Sequence, residues 1–230
     1  MHHYTLGLNI FHADSSSCLM RDGKLICAFE EERLNRIKHW AGIPFRAIRE
    51  CLKYEKINLK DVKVITVNSN PYSNIKEKIF YTINSKNLIN DASSFFKRQS
   101  QKLSLKKELE KYFKTNIKGK IIRYDHHLSH IASSYYLSGF KKATGISIDG
   151  FGDFCSLAIA SCQNNKIEIL ARTFYPNSLG VFYEGITQIL GFKNYGDEYK
   201  LMGLSAYGKP VYKKKLEKII EFDPSKFINV

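Results

Sequence analysis

His126 and His130 stand four residues apart in the run His126-His127-Leu128-Ser129-His130. Nineteen residues beyond His130 comes Asp149, at the head of Asp149-Gly150-Phe151-Gly152-Asp153. On a helix, positions four apart lie one above the other on the same face, so two imidazoles can hold one ion. A carboxylate from elsewhere would add an oxygen donor to the two nitrogens, a set that suits a divalent metal. Gly150 and Gly152 would let backbone amides approach phosphate oxygens. Helix histidines also occur at this spacing when they merely pack or face solvent, and a plain hairpin turn uses the same glycines. Spacing alone leaves both readings open.

The elements that must position these groups have their own signals. Asp125 stands where a helix N-cap would be, Ala132, Ser133 and Ser134 allow close packing, and Gly139 ends the run. A strand is predicted over residues 144–148, closed by Asp149 and followed by a glycine turn. That places the carboxylate at the C-terminal edge of a sheet, where α/β proteins put their chemistry. His12, in the polar turn 12–17, is a candidate base, or a turn residue bonded only to its own loop. Lys38, beside Arg36 and His39, is a compact cation able to neutralise a phosphate or a carbonyl oxygen; a solvated basic cluster has the same composition.

The surrounding chain reads as a repeat. Residues 4–10 alternate like a strand, 12–17 form a small polar turn, 18–21 resume the strand, Asp22-Gly23 signals a hairpin, and 25–30 form a third strand. The same grammar returns about 140 residues later: strand 144–148, polar turn 149–153, strand 156–161, turn 164–166 and strand 167–175. Between the two meanders, a helix is predicted over 45–53, a buried strand over 62–68, a basic helical region over 75–113 and a short strand over 121–124. Helices follow over 181–190, 198–206 and 213–221. A meander followed by helix, strand and helices, then begun again, is how the duplicated actin-like, sugar-kinase-like α/β fold is built. The expected division is a first lobe over 1–125 and the beginning of a second over 126–230, left incomplete, as in a fragment or one half of a split protein.

Composition narrows the function classes. With 43% hydrophobic and 13% aromatic residues over 230 positions, the chain can bury a core and is not of the disordered class. Its apolar stretches are short and interrupted by charge, and Met1-His2-His3-Tyr4 is not a signal peptide, so a cytoplasmic protein without a membrane span is expected. Cys18, Cys27, Cys51, Cys155 and Cys162 are scattered and never form a Cys-x-x-Cys pair, which argues for reduced thiols. The net charge of +14 is concentrated: residues 76–123 hold thirteen Lys or Arg against four Asp or Glu. There the bases alternate with apolar residues, as in Phe95-Phe96-Lys97-Arg98 and the run 103–109. Solvated faces of amphipathic helices are favoured over a nucleic-acid surface, because no stacking motif accompanies the charge.

Five strings in order carry a family resemblance: Leu6-Gly7-Leu8-Asn9-Ile10-Phe11-His12-Ala13-Asp14-Ser15-Ser16, Glu30-Glu31-Glu32-Arg33, Asn35-Arg36-Ile37-Lys38-His39, the 126–130 run with 149–153, and Glu198-Tyr199-Lys200-Leu201-Met202-Gly203-Leu204. Together they resemble the O-carbamoyltransferases of nodulation-factor and antibiotic tailoring, over about residues 4–210. The resemblance implies an actin-like domain that binds Fe(II) and an adenylate. It also implies a separate domain that makes carbamoyl adenylate from carbamoyl phosphate and ATP, and transfer of the carbamoyl group to a hydroxyl of a small-molecule or sugar acceptor. His126, His130 and Asp149 match the family's metal ligands, His12 its active-site histidine, and Lys38, Gly150, Gly152 and Lys200 its substrate cleft. A further aspartate ligand and the adenylating domain would lie beyond Val230, so the chain alone is expected to be inactive. Two other readings stay open: a non-catalytic metal- or nucleotide-binding remnant or partner-binding module, and a nucleotide-dependent kinase of the same superfold. The kinase is disfavoured because magnesium prefers oxygen ligands to paired histidines.

Overall fold

The computed structural model describes residues 2–84 and 104–220. The chain divides into two compact units, Met1–Asp125 and His126–Val230. The run Phe95-Phe96-Lys97-Arg98 and the end of the helix expected over 213–221 fall outside the described residues.

The first unit is built on a five-stranded sheet in the order β3-β2-β1-β4-β5. Its strands are β1 (Tyr4–Asn9), β2 (Ser16–Arg21), β3 (Lys24–Glu30), β4 (Val62–Val67) and β5 (Lys120–Arg123). The first three form an antiparallel meander, and β4 and β5 add on in parallel beside β1. Asp22 (φ 52°) and Gly23 (φ 81°) both take the left-handed conformation that a tight two-residue hairpin requires. Helix α1 (Glu31–Asn35), absent from the sequence reading, precedes α2 (Phe45–Tyr54), whose stripe Ala47, Ile48, Cys51 and Leu52 is buried. A one-turn helix, Leu59–Asp61, leads into β4.

The basic region supplies α3 (Ile75–Asn84) and α4 (Leu105–Phe113). In α4, Leu105 and Leu109 enter the core while Lys106, Lys107 and Lys111 stay exposed, the solvated-face pattern that the alternation predicts. The core joins Leu6, Leu8, Leu19, Ile48, Ile65 and Leu109.

The second unit opens with α5 (His126–Ser138) and continues as a three-stranded antiparallel meander, β6 (Lys142–Gly152), β7 (Cys155–Gln163) and β8 (Lys166–Phe174). Helices α6 (Leu179–Ile189), α7 (Glu198–Ser205) and α8 (Lys213–Leu216) follow. Gly139 (φ 74°) ends α5 with a left-handed residue. Helix α5 lies close on the sheet because a Cβ at Gly145 would stand 2.5 Å from Ile131 Cγ2. Ile131 and Tyr135 then share a small core with Cys155, Ala158, Ala160 and Cys162.

The repeat of the meander is the mark of a duplicated actin-like fold, and the two copies differ, among the described residues, in how their first strand is covered. In β1, Leu6 and Leu8 are 0% and 4% exposed, and β4 pairs along the strand's other edge. At the matching places in β6, Ile146 and Ile148 are 61% and 55% exposed, and among the described residues no strand pairs on that edge. No helix among the described residues is long and apolar enough to cross a membrane.

Candidate metal centre

One departure from the expected strand decides the geometry of this site. β6 does not stop at Ile148 but runs to Gly152, and its pairing with β7 slips on the way, from Ile148 opposite Leu157 to Gly152 opposite Cys155. Asp149, Gly150 and Phe151 therefore bulge out of the ladder, and the tight turn falls on Asp153 (φ 51°) and Phe154 (φ 73°), not on the glycines. A bulge re-aims a side chain, and here it turns Asp149 toward the first turn of α5.

Three ligand atoms converge there. His126 Nε2 is 2.9 Å from Asp149 Oδ2, His130 Nε2 is 3.0 Å from His126 Nε2, and His130 Nε2 is 3.6 Å from Asp149 Oδ2. These residues form a group whose donors could hold one metal ion, so the structure brings together all three expected ligands. His126 is buried, Asp149 is half-buried and His130 is exposed, so the cluster opens on one side. The hydrogen bonds of His126 and His130 hold the Asp149 carboxyl well below the usual carboxylate range, against the opposing effect of burial and with help from the Gly150 amide. That amide donates to Asp149 Oδ1 at 2.7 Å.

The glycines do different work from one another. A Cβ at Gly152 would stand 2.0 Å from His126 Cδ2, so the absence of a side chain there is what admits the imidazole. A Cβ at Gly150 would meet nothing within 4 Å. Gly180, in the first turn of α6, presses on the Asp149-Gly150 backbone, where a Cβ would come within 2.6 Å of Asp149 C. Ser178 joins the two: its hydroxyl accepts the Val181 amide as the N-cap of α6 and donates to the Gly150 carbonyl.

Two residues that the sequence reading passed over fix the register of α5. Asp153 Oδ2 accepts the first helical amide, His126 N–H, at 3.1 Å, in addition to whatever Asp125 contributes directly before the helix. His127 is fully buried, with Nδ1 2.8 Å from Ser147 Oγ and Nε2 2.8 Å from the Cys155 carbonyl oxygen. Because a carbonyl only accepts, the proton sits on Nε2 and the serine hydroxyl donates to Nδ1. The signal was available: one step along a helix turns about 100°, so a neighbour of a site-facing histidine points to another side. His127→Leu keeps the volume but strands the Ser147 hydroxyl and the Cys155 carbonyl, and should cost about 2 kcal/mol in urea unfolding. An unchanged unfolding midpoint would show that His127 does not pin the helix.

The remaining expected residues lie elsewhere in their units. Lys200, on α7, is half-buried with its ammonium 2.6 Å from Asp197 Oδ1. That ion pair raises the Lys200 pKa and lowers that of Asp197. His12 and Lys38 belong to the first unit; His12 is half-buried in the turn after β1, and Lys38 is exposed in the loop after α1.

Residues 4–223 match the family model for the carbamoyltransferase N-terminus. The chain is 36% identical over 212 residues to nodulation protein NolNO of Sinorhizobium fredii, covering 91% of this chain and 30% of that protein. It is 32% identical over 217 residues to uncharacterized protein sll1178 of Synechocystis, covering 91% and 35%. Uncharacterized protein MJ1051 of Methanocaldococcus jannaschii is 32% identical over 202 residues, covering 88% and 33%. The chain thus spans about a third of the length of these curated relatives.

Proposed function

Since the chain belongs to the carbamoyltransferase family, whose N-terminal region it matches, we propose that it forms the N-terminal part of an O-carbamoyltransferase. In this reading a carbamoyl group passes from carbamoyl adenylate to a hydroxyl of a small-molecule or sugar acceptor. Carbamoyl phosphate and ATP enter through an adenylating domain outside this chain, and the work is done in the cytoplasm.

The observation that carries the proposal is the convergence of His126 Nε2, His130 Nε2 and Asp149 Oδ2 at the bulge of β6. Two imidazoles and an ionised carboxylate suit Fe(II) or a similar divalent ion. Bound there, the ion would supply positive charge to a phosphate or carbonyl oxygen of the mixed anhydride. The chain's own residues have separate tasks. His12, as a neutral imidazole, takes the proton of the acceptor hydroxyl while that oxygen bonds to the carbamoyl carbon and AMP leaves with the electrons of the broken C–O bond. Lys38 brings a flexible ammonium to a phosphate or carbamoyl oxygen. Gly150 leaves room beside the carboxylate for the substrate, Gly152 seats the His126 ring, and Asp197 holds the Lys200 ammonium in one orientation.

Transfer of labelled carbamoyl from carbamoyl phosphate, with ATP and a panel of hydroxyl acceptors, tests the proposal. The chain alone should give none, because remote contacts to adenosine are needed to orient the anhydride. Joined to the remaining two thirds of a relative such as NolNO, it should transfer, and His12→Ala should abolish that transfer. Turnover by the chain alone would refute the dependence on a further part, and transfer that ignores His12→Ala would remove His12 from the mechanism. No transfer by the joined protein, with metal still bound, would favour a non-catalytic metal-binding module.

A further inference from the structure

We infer that Asp14, Glu32 and His39 form a second divalent-cation site, carried by the first unit. Each offers one ligand atom, and these atoms all lie within 4.8 Å of one another. Asp14 Oδ1 is 3.0 Å from His39 Nδ1, and Glu32 Oε2 accepts the His39 backbone N–H at 3.1 Å. Two carboxylates and one imidazole nitrogen bring a formal charge that balances a divalent ion. Mixed oxygen and nitrogen donors of this kind favour zinc, manganese or iron over magnesium.

The three ligands come from different segments: the turn after β1, helix α1, and the loop that follows α1. Their meeting is built into the backbone. Ser15 N–H donates to the Trp40 carbonyl at 3.0 Å, Glu31 N–H donates to the Ser15 carbonyl at 2.9 Å, and Phe11 N–H donates to the Gly42 carbonyl at 3.4 Å. The Ser15 hydroxyl also donates to the Gly42 carbonyl at 2.9 Å. From the other side, Asn9 Nδ2 donates to the carbonyls of Ala13 and Asp14, at 3.3 and 3.0 Å. One residue thus ties the turn to the loop, and another fixes the turn itself, so the donors are held in place by folding. Arg33 pairs more closely with Glu30 than with the site's Glu32: its Nε stands 3.2 Å from Glu30 Oε2 and 3.9 Å from Glu32 Oε1, while Glu32 Oε2 faces His39. Asp14 is two residues from His12, and His39 adjoins Lys38. A cation here would therefore join the groups already assigned to proton transfer and to anion binding.

Calorimetric titration of the metal-stripped chain with zinc alone tests the inference. Wild type should bind two equivalents, and the His126→Ala/His130→Ala double variant one. Asp14→Asn and His39→Gln, made in that double variant, should each weaken the remaining site by about tenfold or more. A double variant that binds no zinc, or zinc binding that neither Asp14→Asn nor His39→Gln alters, overturns the inference. If those substitutions unfold the chain, the melting temperature of the double variant decides: a rise with zinc supports the site, and no rise refutes it. Failure of the histidine centre is read separately, as one equivalent in wild type that is lost with Asp14→Asn.

Discussion

Divalent-metal affinity at the second unit should fall by about a hundredfold or more when His126 or His130 is replaced by alanine. Each substitution removes one of three convergent donors. The measurement is best made in the Asp14→Asn background, where only the histidine centre is expected to bind. Its pH dependence follows from the protonation states. A metal-binding imidazole must be neutral, so protons compete with the metal for each histidine and affinity should fall as the solution is made more acid.

Asp149 should not contribute to that loss. Its hydrogen bonds to His126 and His130 lower its folded-state pKa, so the stability it gives is present above the unfolded value of about 3.9 and is lost only as pH falls toward strong acid. Titrations at three pH values between 5.5 and 7.5, with circular dichroism as a control for folding, separate the two ranges. Affinity that does not change across this interval, or that survives both alanine substitutions, would remove the histidines as ligands.

Gly152→Ala should destabilise the chain by about 3 kcal/mol, whereas Gly150→Ala should change stability by less than about 0.5 kcal/mol. The two glycines are two positions apart, yet their surroundings are opposite. The alanine methyl at 152 would stand 2.0 Å from His126 Cδ2 and 2.2 Å from Cγ, and the buried ring has little room to retreat; the methyl at 150 would meet nothing within 4 Å. Removing the ring should relieve the clash, so Gly152→Ala in a His126→Ala background should cost far less than it does alone. Urea unfolding of the four glycine and histidine combinations measures this coupling. Equal costs at 150 and 152, or strict additivity with His126→Ala, would mean that the ring and the glycine do not share the space.

The repeat and the pairing of His126 with His130 were legible because both rest on periodic signals, whereas Asp149 was named as their companion by the family resemblance. Alternation over 4–10 and again from 144 announced two meanders, and a four-residue histidine spacing places two rings on one helix face whatever packs around it. The bulge at Asp149 was not legible. Gly150 and Gly152 look like turn glycines, but the left-handed positions fell to Asp153 and Phe154. Which residues take a turn depends on how two strands pair, and local composition does not report that. Likewise Asp153, read as the end of a polar loop, caps α5 from 27 residues away. Helix α1 was missed because five residues are too few to show a period. Lys200 was placed by the family resemblance alone, and its ion-pair partner Asp197, three positions back, was not anticipated.

The two hydrogen bonds of the buried His127 bear on how fast an ion could be captured. They anchor the same helical turn that presents His126, and they need no metal to form. An ion arriving at the cluster would therefore find its receptor already ordered, and little conformational entropy would be lost on binding. The rate of capture would then follow the shedding of water from the ion, not a rearrangement of the chain. Metals that exchange water quickly would load sooner than slow ones, even where the slow ones bind more tightly at equilibrium.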